Sequence, residues 1–213
     1  MSEPLRRRLE RLAARLAHES LSPALERRLA ALLDEAELAA QRASGAGKAA
    51  AAQAGGTPGA GNSTTERFTA DAPIQVWCDG SCAPNPGPGG WGAIMEQDGR
   101  RVELSGASPQ STNNIMEMTA AIEALTRTPE GARVHVTTDS RYVMDGITRW
   151  LPGWKRKGWR KADGKPVLNQ GLWQALDALV KVRHVRWAWV EGHTGHPENE
   201  RCDELANAAR RAQ

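Results

Sequence analysis

The chain has 213 residues, 40% of them hydrophobic and 25% charged, with a formal net charge of +3. That size and balance fit one ordinary domain plus an appendage, and no apolar run nears the roughly 18–20 residues that a bilayer crossing needs. An N-terminus as charged as MSEPLRRRLERLAARLAHES lacks the unbroken apolar core of a secretory signal. Three cysteines without dense spacing suit a reducing compartment, so a cytoplasmic location is expected.

From the N-terminus, Leu5, Leu9, Leu12 and Leu16 recur at helical spacing, as do Leu25, Leu29, Leu32 and Leu33. Ser22-Pro23 lies between the two runs, a cap followed by a first-turn proline. Residues 1–42 therefore read as a helical hairpin of balanced charge. Its leucine stripes are too narrow a core for two lone helices and are expected to pack on a protein partner or a second copy. Residues 43–72 are mostly Ala, Gly, Ser and Thr, the composition of a flexible linker. A single domain, expected to be monomeric, is left over residues 73–213.

That domain opens on VWCDGSCAPNPGPGGWGAI, residues 76–94, which contains Gly87-x-Gly89-x-x-Gly92. A dinucleotide-binding loop with this spacing must open a helix, where the pyrophosphate meets helical N–H groups. Here the glycines open a short alternating run instead, succeeded by Asp98-Gly99 and Arg101-Val-Glu-Leu, which signals a hairpin. The dinucleotide reading fails, and Asp79 becomes the residue of interest. Strands are expected at 74–79, 92–96 and 101–105, a helix at 113–126, and a strand at 132–139 ending before the capping residue Ser140. Helices are expected next at 140–150, over the basic stretch beyond it, and at 169–182; a strand at 184–190 and a helix at 198–211 close the chain. Hairpin-linked strands succeeded by alternating helices and strands imply an α/β fold, a mixed five-stranded sheet flanked by helices.

Two features point to chemistry. Between Arg149 and Lys165 lie seven basic residues, among them Lys155, Arg156 and Lys157, against the single acid Asp163, interleaved with Trp150, Trp154 and Trp159. Basic groups neutralise phosphates and indoles stack on bases, so the stretch reads as a nucleic-acid contact or as an amphipathic helix with its tryptophans in the core. The second feature is a set of acids. Asp79 and Asp139 end predicted strands; Glu117 falls inside an alanine-rich helical arc while Glu123 points away from it; Asp203 shares a face with Ala206. An ion pair would account for any one of them, but four together fit an oxygen-lined magnesium site better. Two such cations can hold the attacking water and the departing oxygen of a phosphodiester. His193, in the loop before the last helix, is placed to move a proton. A zinc site from His193, His196 and Cys202 is the competing possibility, with irregular spacing and no evident fourth ligand.

The motifs CDGSCAPNPGPGGWGAI, STNNIMEMTAAIEAL, TTDSRYVMDGI, WLPGWKRKGWRKADGKPVLNQGLW and VEGHTGHPENERCDELA occur in this order. Together they make residues 74 to about 210 resemble the bacterial type 1 ribonuclease H family. The resemblance implies Mg²⁺-dependent cleavage of the RNA strand of RNA–DNA hybrids, with Mn²⁺ as a possible substitute, leaving 5′-phosphate and 3′-hydroxyl ends. It implies metal ligation by Asp79, Glu117, Asp139 and Asp203 and a mobile catalytic role for His193. Asn85, Asn113 and Asn114 fall where the family reads RNA 2′-hydroxyls, and Thr112 and Asn169 near a pocket for a DNA phosphate. Trp150, Trp154, Lys155, Arg156 and Lys157 match a basic protrusion that touches the DNA strand. Ile115 departs from the pattern, since relatives often carry a basic residue there. Residues 1–72 lie outside the resemblance.

Overall fold

A computed structural model describes residues 67–213; the expected hairpin and the linker up to residue 66 lie outside the described residues. The elements run β1 (Ile74–Cys82), β2 (Gly87–Gln97), β3 (Arg100–Ser111), α1 (Asn113–Thr126), β4 (Arg133–Thr138) and α2 (Arg141–Asp145). A π-helical turn (Gly146–Trp150) leads into α3 (Leu151–Arg156), then α4 (Gln170–Lys181), β5 (His184–Trp189) and α5 (Pro197–Arg211). The strands form one sheet in the order β3-β2-β1-β4-β5. β1–β2 and β2–β3 are antiparallel, while β1–β4 and β4–β5 are parallel. This is the mixed five-stranded sheet expected. No described helix is long and apolar enough to cross a membrane.

Strand alternation decides which side chains enter the core. Ile74, Val76 and Cys78 of β1, with Val134 and Val136 of β4, are buried in the core on the side where α1 covers β1 and α4 packs against α1. Gln75, Trp77 and Asp79 fall on the opposite face by parity, the face on which α5 lies against β1, β2 and β3. Thr112 starts α1 by accepting the Ile115 N–H at 3.3 Å.

Glycines set how closely the helices lie. A Cβ on Gly80 would stand 2.2 Å from the Glu117 nitrogen of α1, and one on Gly90 would stand 2.1 Å from the Ala206 oxygen of α5. The glycines of the opening motif neither cradle a phosphate nor only turn the chain. They sit inside β2, which begins at Gly87 rather than at residue 92; Gly90 and Gly92 let α5 rest backbone on backbone, while Gly89 makes room for Met116 of α1.

Three further expectations change. β1 runs to Cys82, so Asp79 lies within a strand rather than at its tip. Its parallel pairing with β4 nevertheless stops at Trp77 and Thr137, which leaves Asp79 and Asp139 side by side past that point. The basic stretch is helical only to Arg156; Gly158, Trp159 and Gly164 then take φ of 61°, 63° and 79°, and Arg160 bridges to Pro166. Left-handed residues and a proline leave no room for a helix there. Glu123, which points away from the alanine-rich arc, is itself buried and pairs with Arg127 at 2.8 Å. Residues 68–72, counted as linker, are docked. Phe68 joins the core, Arg100 stacks on its ring at 4.6 Å, and Gln97 bonds Thr69 and Ala72.

Candidate active site

An open pocket of about 390 Å³ gathers Asp79 from β1, Glu117 from α1, Asp139 after β4, Asp203 from α5, His193 and Asn113. Gly80, Ser81, Cys82 and Gly192 complete its walls. The close contacts at Gly80 and at Gly92 bring Glu117 and Asp203 over β1. A Cβ on Gly192 would meet Asp139 Oδ2 at 2.7 Å, so a side chain there would have to displace that carboxylate.

Each acid is held by neutral neighbours. Asn199 donates its amide to Asp139 Oδ2 at 3.0 Å, and the Trp189 indole donates to the Asp139 carbonyl at 2.9 Å. Ser140, the cap of α2, also donates its hydroxyl to Glu117. Asn207 donates to Asp203 Oδ1 at 2.7 Å while its own Oδ1 accepts from Ser81 and Arg210, each at 3.0 Å. Among the described residues none of the four acids forms an ion pair with Lys, Arg or His.

The result is a concentration of unneutralised charge. Burial, then the Asp139 carboxylate, push the Asp79 carboxyl up to about 8 against the hydrogen bond from the Gly80 N–H; Asp203 and Glu117 add to the rise. Burial raises Glu117 too, with the Ser140 bond opposing it and Asp139 reinforcing it. Among the described residues no three His, Cys, Asp or Glu side chains converge tightly enough to hold one metal ion. The donor set nonetheless fits a hard divalent cation: four carboxylates, no competing cation, and a buried Asn199 Oδ1 beside Asp139 that lacks a hydrogen-bond partner. The zinc alternative has no such convergence, with His193 and His196 exposed while Cys202 is fully buried.

The remaining predicted residues fall into two groups. Near the pocket, Asn85 Oδ1 accepts the Asn113 N–H at 3.3 Å, and Asn113 Oδ1 accepts the Cys82 N–H at 2.7 Å. Asn114 is half-buried on the first turn of α1, beside the capping Thr112. The second group surrounds Tyr142, whose hydroxyl accepts from Asn169 and Trp173, each at 3.2 Å. Trp150 and Trp154 stand 5.7 Å apart, with Trp154 packed on Trp173 at 5.5 Å. Trp154 therefore serves the core and Trp150, 38% exposed, the surface. Lys155 is paired with Asp177 at 2.8 Å, whereas Arg156 and Lys157 are exposed. Ile115 packs on the core. Sequence reasoning missed Asn199, Asn207 and Gly192, and saw in Ser140 only a cap. Asn207 lies four residues after Asp203, a spacing that places both on one helix face.

The sheet order, the helices on both faces and the acid-lined pocket at the parting of two parallel strands define a ribonuclease H-like fold. The RNase H family profile matches residues 71–211, and the chain belongs to that family of nuclease-type hydrolases. It is 58% identical over 140 residues to Ribonuclease H of Thiobacillus denitrificans (strain ATCC 25259 / T1), covering 66% of this chain and 94% of that one. It is 56% identical over 136 residues to Ribonuclease H of Geotalea uraniireducens (strain Rf4), covering 64% and 92%. Among solved structures it is similar to LC9-RNase H1, a type 1 RNase H with the type 2 active-site motif. That match has a TM-score of 0.60 and 36% identity, and covers 67% of this chain and 74% of that one.

Proposed function

We propose that the chain is an endonuclease that hydrolyses the RNA strand of RNA–DNA hybrids, with Mg²⁺ as cofactor and Mn²⁺ as a working substitute, leaving 5′-phosphate and 3′-hydroxyl ends. The observation that carries this reading is the set of four acids in one pocket, none of them paired with a cation among the described residues. Family membership supplies the reaction class, and the named relatives are ribonucleases H.

Asp79, Glu117, Asp139 and Asp203 would hold the cations, which supply an activated water and charge for the departing oxygen when bound. Asn199, Ser140 and Asn207 orient Asp139, Glu117 and Asp203 through their hydrogen bonds. His193 stands exposed at the pocket in the loop after β5, where it can take or deliver a proton near the scissile phosphate. Asn113, with Asn85 and Asn114 beside it, is assigned to 2′-hydroxyls, the groups that separate RNA from DNA. Thr112 and Asn169 are assigned to a DNA phosphate, and Trp150, Trp154, Lys155, Arg156 and Lys157 to the DNA strand.

The test is a gel assay with labelled RNA–DNA hybrid, single-stranded RNA and duplex DNA, each with Mg²⁺ and with chelator. Cutting of the hybrid alone, abolished by chelator, is expected. Equal cutting of duplex DNA would make the chain a general nuclease, and binding without cutting would make it a recognition module.

A further inference from the structure

A second cleft, of about 700 Å³, opens at the far end of β4 and β5 from the acids, between Pro73, Val180 and Val185. Its polar wall is made of Arg133, His135, Arg183, His184 and Arg186, with no acid in the lining. The register explains the grouping: Arg133 pairs with His184 and His135 with Arg186 across two parallel strands. Val134 and Val136 turn to the core, so alternation sends these four side chains to the opposite face together. Strands lie about 4.8 Å apart and alternate residues about 6.6 Å apart, which arranges them as a small rectangle. Gln75 extends the row on β1, bonded to His135 at 3.2 Å, and the same face of β1 carries Asp79.

The groups differ in how free they are. Arg183 is committed: it donates to Thr128 O and Oγ1 and to Leu179 O, and lies near Glu130. It is the fixed back wall. Arg133 donates one N–H to the Asp71 carbonyl, which leaves the rest of its fork. Arg186 is exposed and makes no ion pair among the described residues. A concave surface with several cations, apolar flanks and no acid is complementary to a phosphodiester strand, whose oxygens match guanidinium forks and whose sugars fit the apolar walls.

We propose that this cleft is a second nucleic-acid contact, gripping backbone phosphates roughly 20 Å from the acids, the length of the six-residue strand β4. The choice of nucleic acid as ligand rests on the proposed nuclease activity.

The test uses the full chain and a fluorescent oligothymidylate, with a labelled RNA–DNA hybrid in chelator as second probe. Arg186→Glu is expected to weaken both bindings roughly five- to tenfold at low salt and to lower the slope of log affinity against log salt by about one. Turnover at saturating hybrid should stay at the parental value. Arg133→Gln combined with Arg186→Glu should deepen the binding loss, with circular dichroism showing the fold intact. The His135 and His184 ring resonances should move as oligothymidylate is added. Unchanged affinity and slope, with unmoved imidazole signals, would overturn the proposal. So would selective capture of a polyglutamate peptide by this cleft, which would mark it as a site for an acidic protein. A chain that cut no hybrid yet lost oligothymidylate affinity on Arg186→Glu would defeat the nuclease reading and leave the cleft in place.

Discussion

Gly92 of β2 and Cys202 of α5 meet backbone to backbone: a Cβ on Gly92 would fall 2.4 Å from the Cys202 carbonyl oxygen. Asp203 is the next residue, so this contact sets the height of a site carboxylate above the sheet. Gly92→Ala must lift α5 or bend β2. Overpacking of this kind costs about 1–3 kcal/mol, and a displacement near 1 Å at a catalytic group costs about a hundredfold in rate. We expect a lower Tm and at least a tenfold loss of hybrid cleavage, partly recovered at high Mg²⁺. Parental activity in Gly92→Ala would show that α5 is free to shift without consequence.

Asp139 and His193 should separate cleanly by mutation. Asp139→Asn keeps the shape and the Asn199 neighbour but removes a charge proposed to hold metal, so hydrolysis should fall to background while hybrid binding in chelator persists. His193→Ala should slow turnover by about a hundredfold or less, within the usual range for a proton-transfer group. Single-turnover rates for both proteins test this; equal losses would make His193 as essential as the acids.

Asp79 makes the metal-free protein sensitive to pH. Its carboxyl titrates near 8 in the fold, chiefly through burial and the Asp139 charge, against about 3.9 in an unfolded chain. The folded state therefore holds the proton more tightly. The stability this provides is complete below about pH 4 and is lost as pH rises through about 8. In chelator, Tm should fall between pH 5 and pH 9. Asp79→Asn should flatten that fall and raise Tm at pH 8 by about 3 °C or more. A metal-free Tm that does not change over this range would contradict the assignment.

The basic protrusion should contribute unequally to binding. Lys155 is engaged with Asp177, which also holds Lys181 at 3.2 Å, so its charge is partly spent within the protein. Arg156→Ala and Lys157→Ala should each lower the salt slope of hybrid binding by about one, and Lys155→Ala by clearly less. Fluorescence titrations at four or five salt concentrations would decide it, and equal slopes for all three variants would refute the distinction.

The parts of this fold that were legible in the sequence are those governed by local chemistry. Thr112 capping a run of helix formers marks α1 at its true bounds, and Asp98-Gly99 marks the β2–β3 turn. The strand ends were hidden because Gly87–Gly90 and Gly106–Ser111 carry little strand propensity and are ordered by their ladders. The loop after Arg156 did announce itself, through Gly158, Gly164 and Pro166, beneath a charge pattern that resembled a helix face. In the site, acids could be picked out by being misplaced among apolar neighbours. Their partners Asn199 and Ser140 could not, since an ordinary polar residue shows its use only when the chain has brought it within reach.

Phe68 fixes where the N-terminal part of the chain leaves the domain. The bonds between Gln97 and Thr69 tie that exit to the end of β2, on the side of the sheet where β1 begins and away from the acid pocket. The described chain thus enters the domain at the end of the sheet opposite the acid pocket. Tension on the chain where it enters at residue 67 is borne first by a buried ring and a glutamine clamp, before it can reach β1 and the acid that β1 carries.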